Sequence, residues 1–118
     1  MGLTSVQLSI APIADRARIQ TAEFLVDSGA QYTVIPEKLW KALGIEPENI
    51  VRVQLADGSV DRRPVGYAWV TFEGRTVPNQ VILGEADDSN LLGVVTLEEM
   101  GLMIDPIKRV LKSFDARM

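Results

Sequence analysis

The amino-acid sequence contains neither cysteine nor histidine in its 118 residues. Without cysteine the chain can form no disulfide, no thiolate nucleophile and no iron–sulfur site. Without histidine it cannot build a Ser-His-Asp or Cys-His catalytic site, or a zinc site that uses imidazole ligands. Carboxylates, lysines, hydroxyls and backbone groups remain, so an enzyme with this composition would use a carboxylate as its acid or base. We expect no metal and no cofactor.

The sequence also lacks a basic block and a long apolar run. There are 12 lysines and arginines against 16 aspartates and glutamates, giving a net charge of −4, so we expect no nucleic-acid partner, since that would need a basic surface. No apolar run approaches the ~18 residues that a membrane helix needs, and we expect no membrane partner. Residues 1–6 show no basic start followed by an apolar core, so we expect no secretory signal and a cytoplasmic location.

The composition favours one globular domain. Hydrophobic residues make up 47% of the chain, which is enough to form one core in a single domain of residues 1–118. Many short alternating or β-prone stretches separated by polar turns predict an all-β fold. The predicted strands are residues 4–10, 19–26, 32–35, 49–55, 60–63, 65–72, 76–83 with an interruption at Pro78, and 109–114.

Two short helices are expected between these strands. Pro36 suits the first position of a helix and Gly44 suits its stop, with apolar residues on one side between them. Thr96 and Glu99 have the spacing of a capping box, so a second helix is expected to begin at Thr96 and to end at Gly101.

One acid follows directly on an apolar strand, in the stretch Phe-Leu-Val-Asp-Ser-Gly-Ala of residues 24–30. The strand turns wholly apolar before Asp27, as expected if it passes into the core. Gly29 permits a close approach that a Cβ would block, and Ser28 can hydrogen-bond to a neighbouring backbone group or acid. This arrangement could hold one carboxylate rigidly for catalysis. The alternative is an Asx turn in which Asp27 only caps a loop, and the stretch alone does not decide between the two.

A hairpin is predicted around Asp57-Gly58, because this dipeptide lies between two alternating runs. Its tip, formed by Ala56, Asp57, Gly58 and Ser59, is either a plain solvent turn or a mobile flap over a groove. The acidic loop of residues 84–90 has a spacing that fits no calcium loop, so we expect it to be solvated.

Residues 24–30, taken with the later Leu91-Leu92-Gly93 that opens a short helix, resemble the retropepsin-like aspartic peptidases, most closely their small stand-alone microbial members. The resemblance runs roughly from Val6 to Phe114 and includes the order of the elements. It implies a closed acid-protease barrel that forms a homodimer. For the site it implies a catalytic acid at Asp27, a supporting turn of Ser28, Gly29 and Ala30, a glycine packed beside that turn at Gly93, and a substrate-binding flap at Ala56, Asp57, Gly58 and Ser59.

The sequence departs from that family at three places. Ser28 stands where threonine is commoner, although the hydroxyl is kept. The hairpin tip has one glycine, Gly58, rather than a glycine-rich tip. Val94-Val95 follows Gly93 where viral members have a charged or polar pair, so the dimer salt bridges of those enzymes are not expected here.

Aspartic peptidases need two carboxylates, and this chain has one acid in a suitable setting. The other candidates lie in polar or turn-like surroundings, at Asp57, Asp61, Asp87, Asp88 and Asp105. The second acid must then come from another copy, which predicts a twofold homodimer. We predict an aspartic endopeptidase that hydrolyses peptide bonds with a water activated by two Asp27 carboxylates. The alternatives are a catalytically silent homodimeric module of the same fold that binds peptides or supports assembly, and an unrelated β-barrel.

Overall fold

The computed structural model describes residues 4–117. Residues 1–3 and Met118 lie outside the described part, and with them the ends of the predicted domain and half of the segment considered for a secretory signal. The described residues form two helices, α1 Glu37–Ala42 and α2 Val94–Glu99. They form nine strands, β1 Ser5–Pro12, β2 Gln20–Val26, β3 Val34–Ile35, β4 Asn49–Gln54, β5 Val60–Phe72, β6 Arg75–Leu83, β7 Leu91–Leu92, β8 Leu102–Asp105 and β9 Val110–Ser113. The predicted all-β class with two short helices is confirmed.

Six of these strands close into a barrel. The large sheet has the order β1-β2-β7-β3-β6-β5-β4, and β1 also pairs with β5, which joins the sheet into a ring. β4 stays outside this ring, because within residues 4–117 it pairs only with β5. The β4–β5 pair therefore extends from the barrel as a hairpin, while β8 and β9 form a separate two-stranded sheet.

Alternate side chains of the barrel strands form one apolar core. Its largest fully buried members on the barrel strands are Leu8, Ile10, Phe24, Val26, Ile35, Val70, Val81, Leu83 and Leu92. The strand before Asp27 keeps this alternation, since Leu25 is only half-buried between two buried neighbours. The strand therefore reaches the core before Asp27, as expected, but only with the face that carries Phe24 and Val26, because β2 lies in a barrel wall with one face inside.

Two prolines lie inside strands that the sequence predicted to stop or break there. β5 runs without interruption through Pro64, and β6 through Pro78. Among the strands of residues 4–117, Pro64 has only β4 beside it, and Pro78 has only β5. A missing N–H is tolerated in a strand segment that has one neighbour, because the other edge makes no ladder hydrogen bond. The predicted breaks at residues 63–65 and at Pro78 are therefore corrected.

The first helix lies close to its predicted position. Pro36 is its N-cap residue rather than its first helical residue, and Gly44 follows its C-cap. Gly44 has φ +69° and donates its N–H to the Lys41 carbonyl at 3.1 Å, which is a common way to end a helix. None of the helices in residues 4–117 is long and apolar enough to cross a membrane.

The capping box predicted for the second helix is wrong. The helix begins two residues before Thr96, and its N-cap is Gly93, which makes no side-chain capping bond. Thr96 is buried inside the helix, and its hydroxyl lies 2.6 Å from the Thr33 hydroxyl. A long-range partner has therefore replaced the local capping role that the spacing indicated.

Candidate active site

Asp27 is the first residue after β2, and backbone hydrogen bonds fix its position. Its N–H donates to the Leu92 carbonyl at 3.1 Å, and its carbonyl accepts the N–H of Ala30 at 3.1 Å. Oδ1 of the carboxylate accepts the N–H of Gly29 at 2.8 Å. This is the Asx-turn geometry of the alternative interpretation, but it uses only Oδ1. No hydrogen bond among residues 4–117 reaches Oδ2, so one carboxylate oxygen remains open to a water or a second acid.

The three residues after Asp27 border two different depressions of the protein surface. A Cβ at Gly29 would lie 3.2 Å from Asp27 Oδ1, so glycine gives the carboxylate room. Gly29 and Ala30 lie with Asp27 along one groove. Ser28 is exposed and borders a second depression. The structure therefore brings Gly29 and Ala30 to the side of the acid and leaves the Ser28 hydroxyl on the adjoining face.

Helix α2 begins against the backbone of the acid-bearing turn. The first N–H groups of a helix have no partner inside it, and here two of them bond to the turn. Val94 donates to the Ala30 carbonyl at 2.9 Å, and Val95 donates to the Gln31 carbonyl at 3.0 Å. The start of the helix thus holds the turn in place through main-chain atoms.

Gly93 allows this contact because no side chain fits at its position. A Cβ there would lie 2.5 Å from the carbonyl oxygen of Tyr32 and 2.8 Å from the Gln31 oxygen. The Gly93 N–H donates to the Thr33 hydroxyl at 3.0 Å, and that hydroxyl also bonds to Thr96. The structure places Gly93 directly against residues 31–33, where the family resemblance implied a packing glycine.

An open groove of about 610 Å³ runs beside Asp27. Its lining includes the apolar side chains of Val34, Ile82 and Leu91. The β4–β5 hairpin contributes residues 52–56 to the same lining. The predicted site included only Ala56 from this set. For residues 52–55, the available signal in the sequence was the alternation of apolar residues along β4. Alternation alone does not show which face of a short strand lines a groove.

The hairpin tip has a well-defined turn. Leu55 and Ser59 are paired, with the Leu55 N–H on the Ser59 carbonyl at 2.8 Å, and Gly58 has φ +87°. Asp57 Oδ1 accepts the Ser59 hydroxyl at 2.5 Å and the Ser59 N–H at 2.9 Å. These hydrogen bonds lower the pKa of Asp57. Of the four predicted flap residues, Ala56 lines the groove, whereas Asp57, Gly58 and Ser59 are exposed and lie outside its lining.

The face that carries Ser28 is largely apolar. Ser28 borders a depression of about 410 Å³ between α2 and the β8–β9 sheet. Leu97 and Ile104 line it together with Met103 and Phe114, whose side chains are 42% and 39% exposed. Large apolar side chains exposed together usually mark a contact surface.

The acidic loop is only partly solvated. The carboxylates of Glu85, Asp87 and Asp88 lie within 4.8 Å of one another. Glu85 and Asp87 are exposed, as predicted, but Asp88 is half-buried and lines the groove. Its carboxylate forms an ion pair with Arg63 at 2.8 Å. Local sequence patterns do not indicate this pair, because its members are 25 positions apart.

Comparison with known proteins gives a matching family model and several similar solved structures. Residues 17–99 match the family model described as "gag-polyprotein putative aspartyl protease". The fold is similar to that of the EIAV protease complexed with the inhibitor HBY-793, with TM-score 0.64, 14% identity, and coverage of 85% of this chain and 89% of that one. It is also similar to the retroviral protease-like domain of Ddi1 from Leishmania major, with TM-score 0.57, 18% identity, and coverage of 98% and 92%. No curated protein matches the sequence.

Proposed function

This chain belongs to the gag-polyprotein aspartyl protease family and has a retropepsin-like fold, and from that premise we propose that it is an aspartic endopeptidase whose active site forms between two copies. One observation carries the proposal. Asp27 lines an open groove, and backbone hydrogen bonds fix its position. One of its carboxylate oxygens accepts no hydrogen bond from residues 4–117.

The single suitable acid supports a site shared between two copies. Among residues 4–117, the carboxylates that line the groove are those of Asp27 and Asp88. Asp88 is already engaged, because its Oδ2 accepts both Arg63 at 2.8 Å and the Glu85 N–H at 2.7 Å. Only Asp27 is available for chemistry, and the second carboxylate is then Asp27 of a second copy.

The apolar face beside Ser28 supports the same arrangement. Because Ser28 directly follows Asp27, a copy that covers this depression also approaches the acid. Burial of Met103 and Phe114 against the partner would remove apolar surface from water and stabilise the dimer. The Ser28 hydroxyl would then join the two acid turns across the twofold axis.

In this site, the two Asp27 carboxylates share one proton, since two acids about 3 Å apart cannot both ionise. The ionised one takes a proton from a water as that water attacks the carbonyl carbon of the peptide. The protonated one transfers its proton to the carbonyl oxygen, so that a gem-diol intermediate forms. The carboxyl that took the water proton then gives it to the peptide nitrogen, while the other carboxylate takes a proton back from a gem-diol hydroxyl. The C–N bond breaks, the amine leaves, and the carboxylic acid product and the singly protonated pair remain.

The groove suits an extended polypeptide. The outer edge of β4 has no strand beside it within residues 4–117, so its backbone groups can hydrogen-bond to an extended substrate. The apolar wall of Val34, Ile82 and Leu91 offers contacts for apolar substrate side chains. We propose exposed or unfolded polypeptide as the substrate class.

The test compares Asp27→Asn with Asp87→Asn, which removes an exposed acid outside the groove lining. Each protein is incubated with a diverse peptide mixture from pH 4 to 7.5 at several protein concentrations, and products are identified by mass spectrometry. We expect Asp27→Asn to lose cleavage and Asp87→Asn to keep it. Activity should rise more than linearly with protein concentration, because a half-site cannot turn over.

Cleavage that persists in Asp27→Asn would overturn the proposal. If the wild type cleaves nothing but sediments as a dimer, the silent peptide-binding module becomes the better description. If it stays a monomer at high concentration and cleaves nothing, the shared site itself is wrong.

A further inference from the structure

Arg63 lies where the flap hairpin joins the barrel. It is on β5, opposite Val51 of β4, and its side chain is only 18% exposed. Its guanidinium bonds to Asp88 Oδ2 at 2.8 Å and to Asp61 Oδ2 at 3.1 Å, and lies 3.7 Å from Glu85 Oε1. Burial acts to lower the pKa of Arg63, but the hydrogen bonds to Asp88 and Asp61 and the nearby carboxylates raise it overall.

Asp88, which accepts the shortest hydrogen bond from Arg63, is itself held in place by hydrogen bonds. Asp88 Oδ2 accepts the Glu85 N–H at 2.7 Å, and the Asp88 N–H donates to the Glu85 carbonyl at 3.1 Å. The Asp88 carboxylate therefore stabilises the turn of residues 85–88 while it also binds Arg63. Charge-assisted hydrogen bonds of this kind are stronger than neutral ones, and partial burial reduces screening by water.

The same loop continues into the strand that supports the catalytic acid. The Asn90 carbonyl accepts the Leu25 N–H at 2.9 Å, and the Asn90 side chain donates to the Glu23 carbonyl at 3.0 Å. β7 then pairs with the end of β2, and the Leu92 carbonyl accepts the Asp27 N–H. Hydrogen bonds at Asp88, Asn90 and Leu92, joined by the short chain between them, thus connect the base of the flap to the acid.

We propose that Arg63 is a positioning residue that ties the flap to the acid-bearing side of the barrel and so sets the height of the flap above Asp27. This role rests on the proposed function, in which the flap covers the substrate. Without Arg63 the hairpin loses its ion pair to the loop of residues 84–90 and keeps the β4–β5 ladder and the packing at its base, so substrate is held less tightly while the acid turn is unchanged. Loss of the tether should therefore raise KM and leave kcat nearly the same.

The test compares Arg63→Met with Arg62→Met. Arg62 is the matched control, because it is next on the strand, its side chain is exposed on the other face, and it makes no ion pair among the described residues. Hydrogen exchange of the amides in residues 49–63, read by mass spectrometry, measures flap opening without any need for cleavage. We expect exchange there to rise about tenfold in Arg63→Met and to stay unchanged in Arg62→Met, with the rest of the barrel unaffected.

A second readout tests the positioning role. With a cleaved peptide, we expect KM to rise about five- to tenfold in Arg63→Met and kcat to change less than about twofold. Equal flap exchange in the two variants would overturn the tether, and a fall in kcat at unchanged KM would overturn the role in holding substrate. If the wild type cleaves nothing, the proposed function fails while the exchange comparison still decides the tether. If Arg63→Met unfolds the barrel, the milder pair Arg63→Lys and Arg62→Lys decides it, with faster flap exchange expected only in Arg63→Lys.

Discussion

Substitution of Gly93 by alanine tests how the acid turn is held. The added Cβ would lie 2.5 Å from the carbonyl oxygen of Tyr32, so the backbone must move by about 1 Å to reach an ordinary contact of 3.4 Å. Gly93 has φ −92° and ψ 170°, an extended conformation that alanine adopts without strain. The cost is therefore purely steric. We expect a loss of about 3 kcal/mol in the free energy of unfolding, at the upper end for overpacking against an interior that cannot relax.

The same shift should disturb Asp27, the proposed catalytic acid. The Val94 and Val95 N–H groups bond to the turn at 2.9 and 3.0 Å, so displacement of this backbone moves the turn that carries Asp27. A misplacement of about 1 Å costs on the order of 100-fold in rate. Urea unfolding at one fixed protein concentration measures the first effect, and peptide cleavage under conditions where the variant is folded measures the second.

Gly74→Ala is the control for the loss of a glycine as such. Gly74 has φ +81°, and apart from Gly74 itself and its two chain neighbours no atom of residues 4–117 lies within 4 Å of the position that an alanine Cβ would take there. Alanine at this position should therefore lower the free energy of unfolding by about 1 kcal/mol, through its backbone conformation alone. We expect that variant to keep its activity. If Gly93→Ala is as stable as Gly74→Ala and cleaves like the wild type, the close packing of α2 on the acid turn does not position Asp27.

Two further substitutions test particular hydrogen bonds. Thr96→Val should lower the free energy of unfolding by about 1–3 kcal/mol, because it removes the buried partner of the Thr33 hydroxyl; urea unfolding equal to the wild type would contradict this. Asp105 accepts the N–H groups of Ile107 and Lys108 at 3.0 Å each, which lowers its pKa below the ordinary value of 3.8. Its carboxylate therefore stabilises the fold above pH 3.8, and this contribution disappears as the pH falls through the lowered pKa. The stability difference between wild type and Asp105→Asn should be larger at about pH 6 than at about pH 2, and a difference that is constant with pH would refute this.

Local signals in the sequence predicted the parts of the fold that depend on neighbouring residues. Asp57-Gly58 predicted the hairpin, and Gly58 adopts the positive φ that such a turn needs. Gly44 likewise follows the first helix in the conformation expected of a helix stop. In both cases the residue that sets the backbone angle also lies at the turn, so the signal and the structure coincide.

The parts that failed depend on residues far apart in the chain. Thr96 has the local spacing of a helix cap, yet its partner is Thr33, 63 positions away. Pro64 and Pro78 predict strand breaks unless one knows that their strands have a single neighbour at those points. The Arg63 tether was missed for the same reason, since neither alternation nor turn chemistry indicates which acid a distant arginine will meet.

The way in which Asp27 is held explains how so little sequence can be shared with structures of the same fold. Its N–H, its carbonyl and the turn that follows are fixed by main-chain partners, Leu92, Ala30 and the first N–H groups of α2. Main-chain donors and acceptors are present whatever the side chain, provided that the backbones can approach. Substitution should therefore be tolerated widely around the acid, and the side-chain requirement is concentrated at Gly93, where any added carbon meets backbone. The groove and the tether at Arg63 are built from side chains instead, so they are the parts in which this chain can differ from its relatives in substrate choice and flap behaviour.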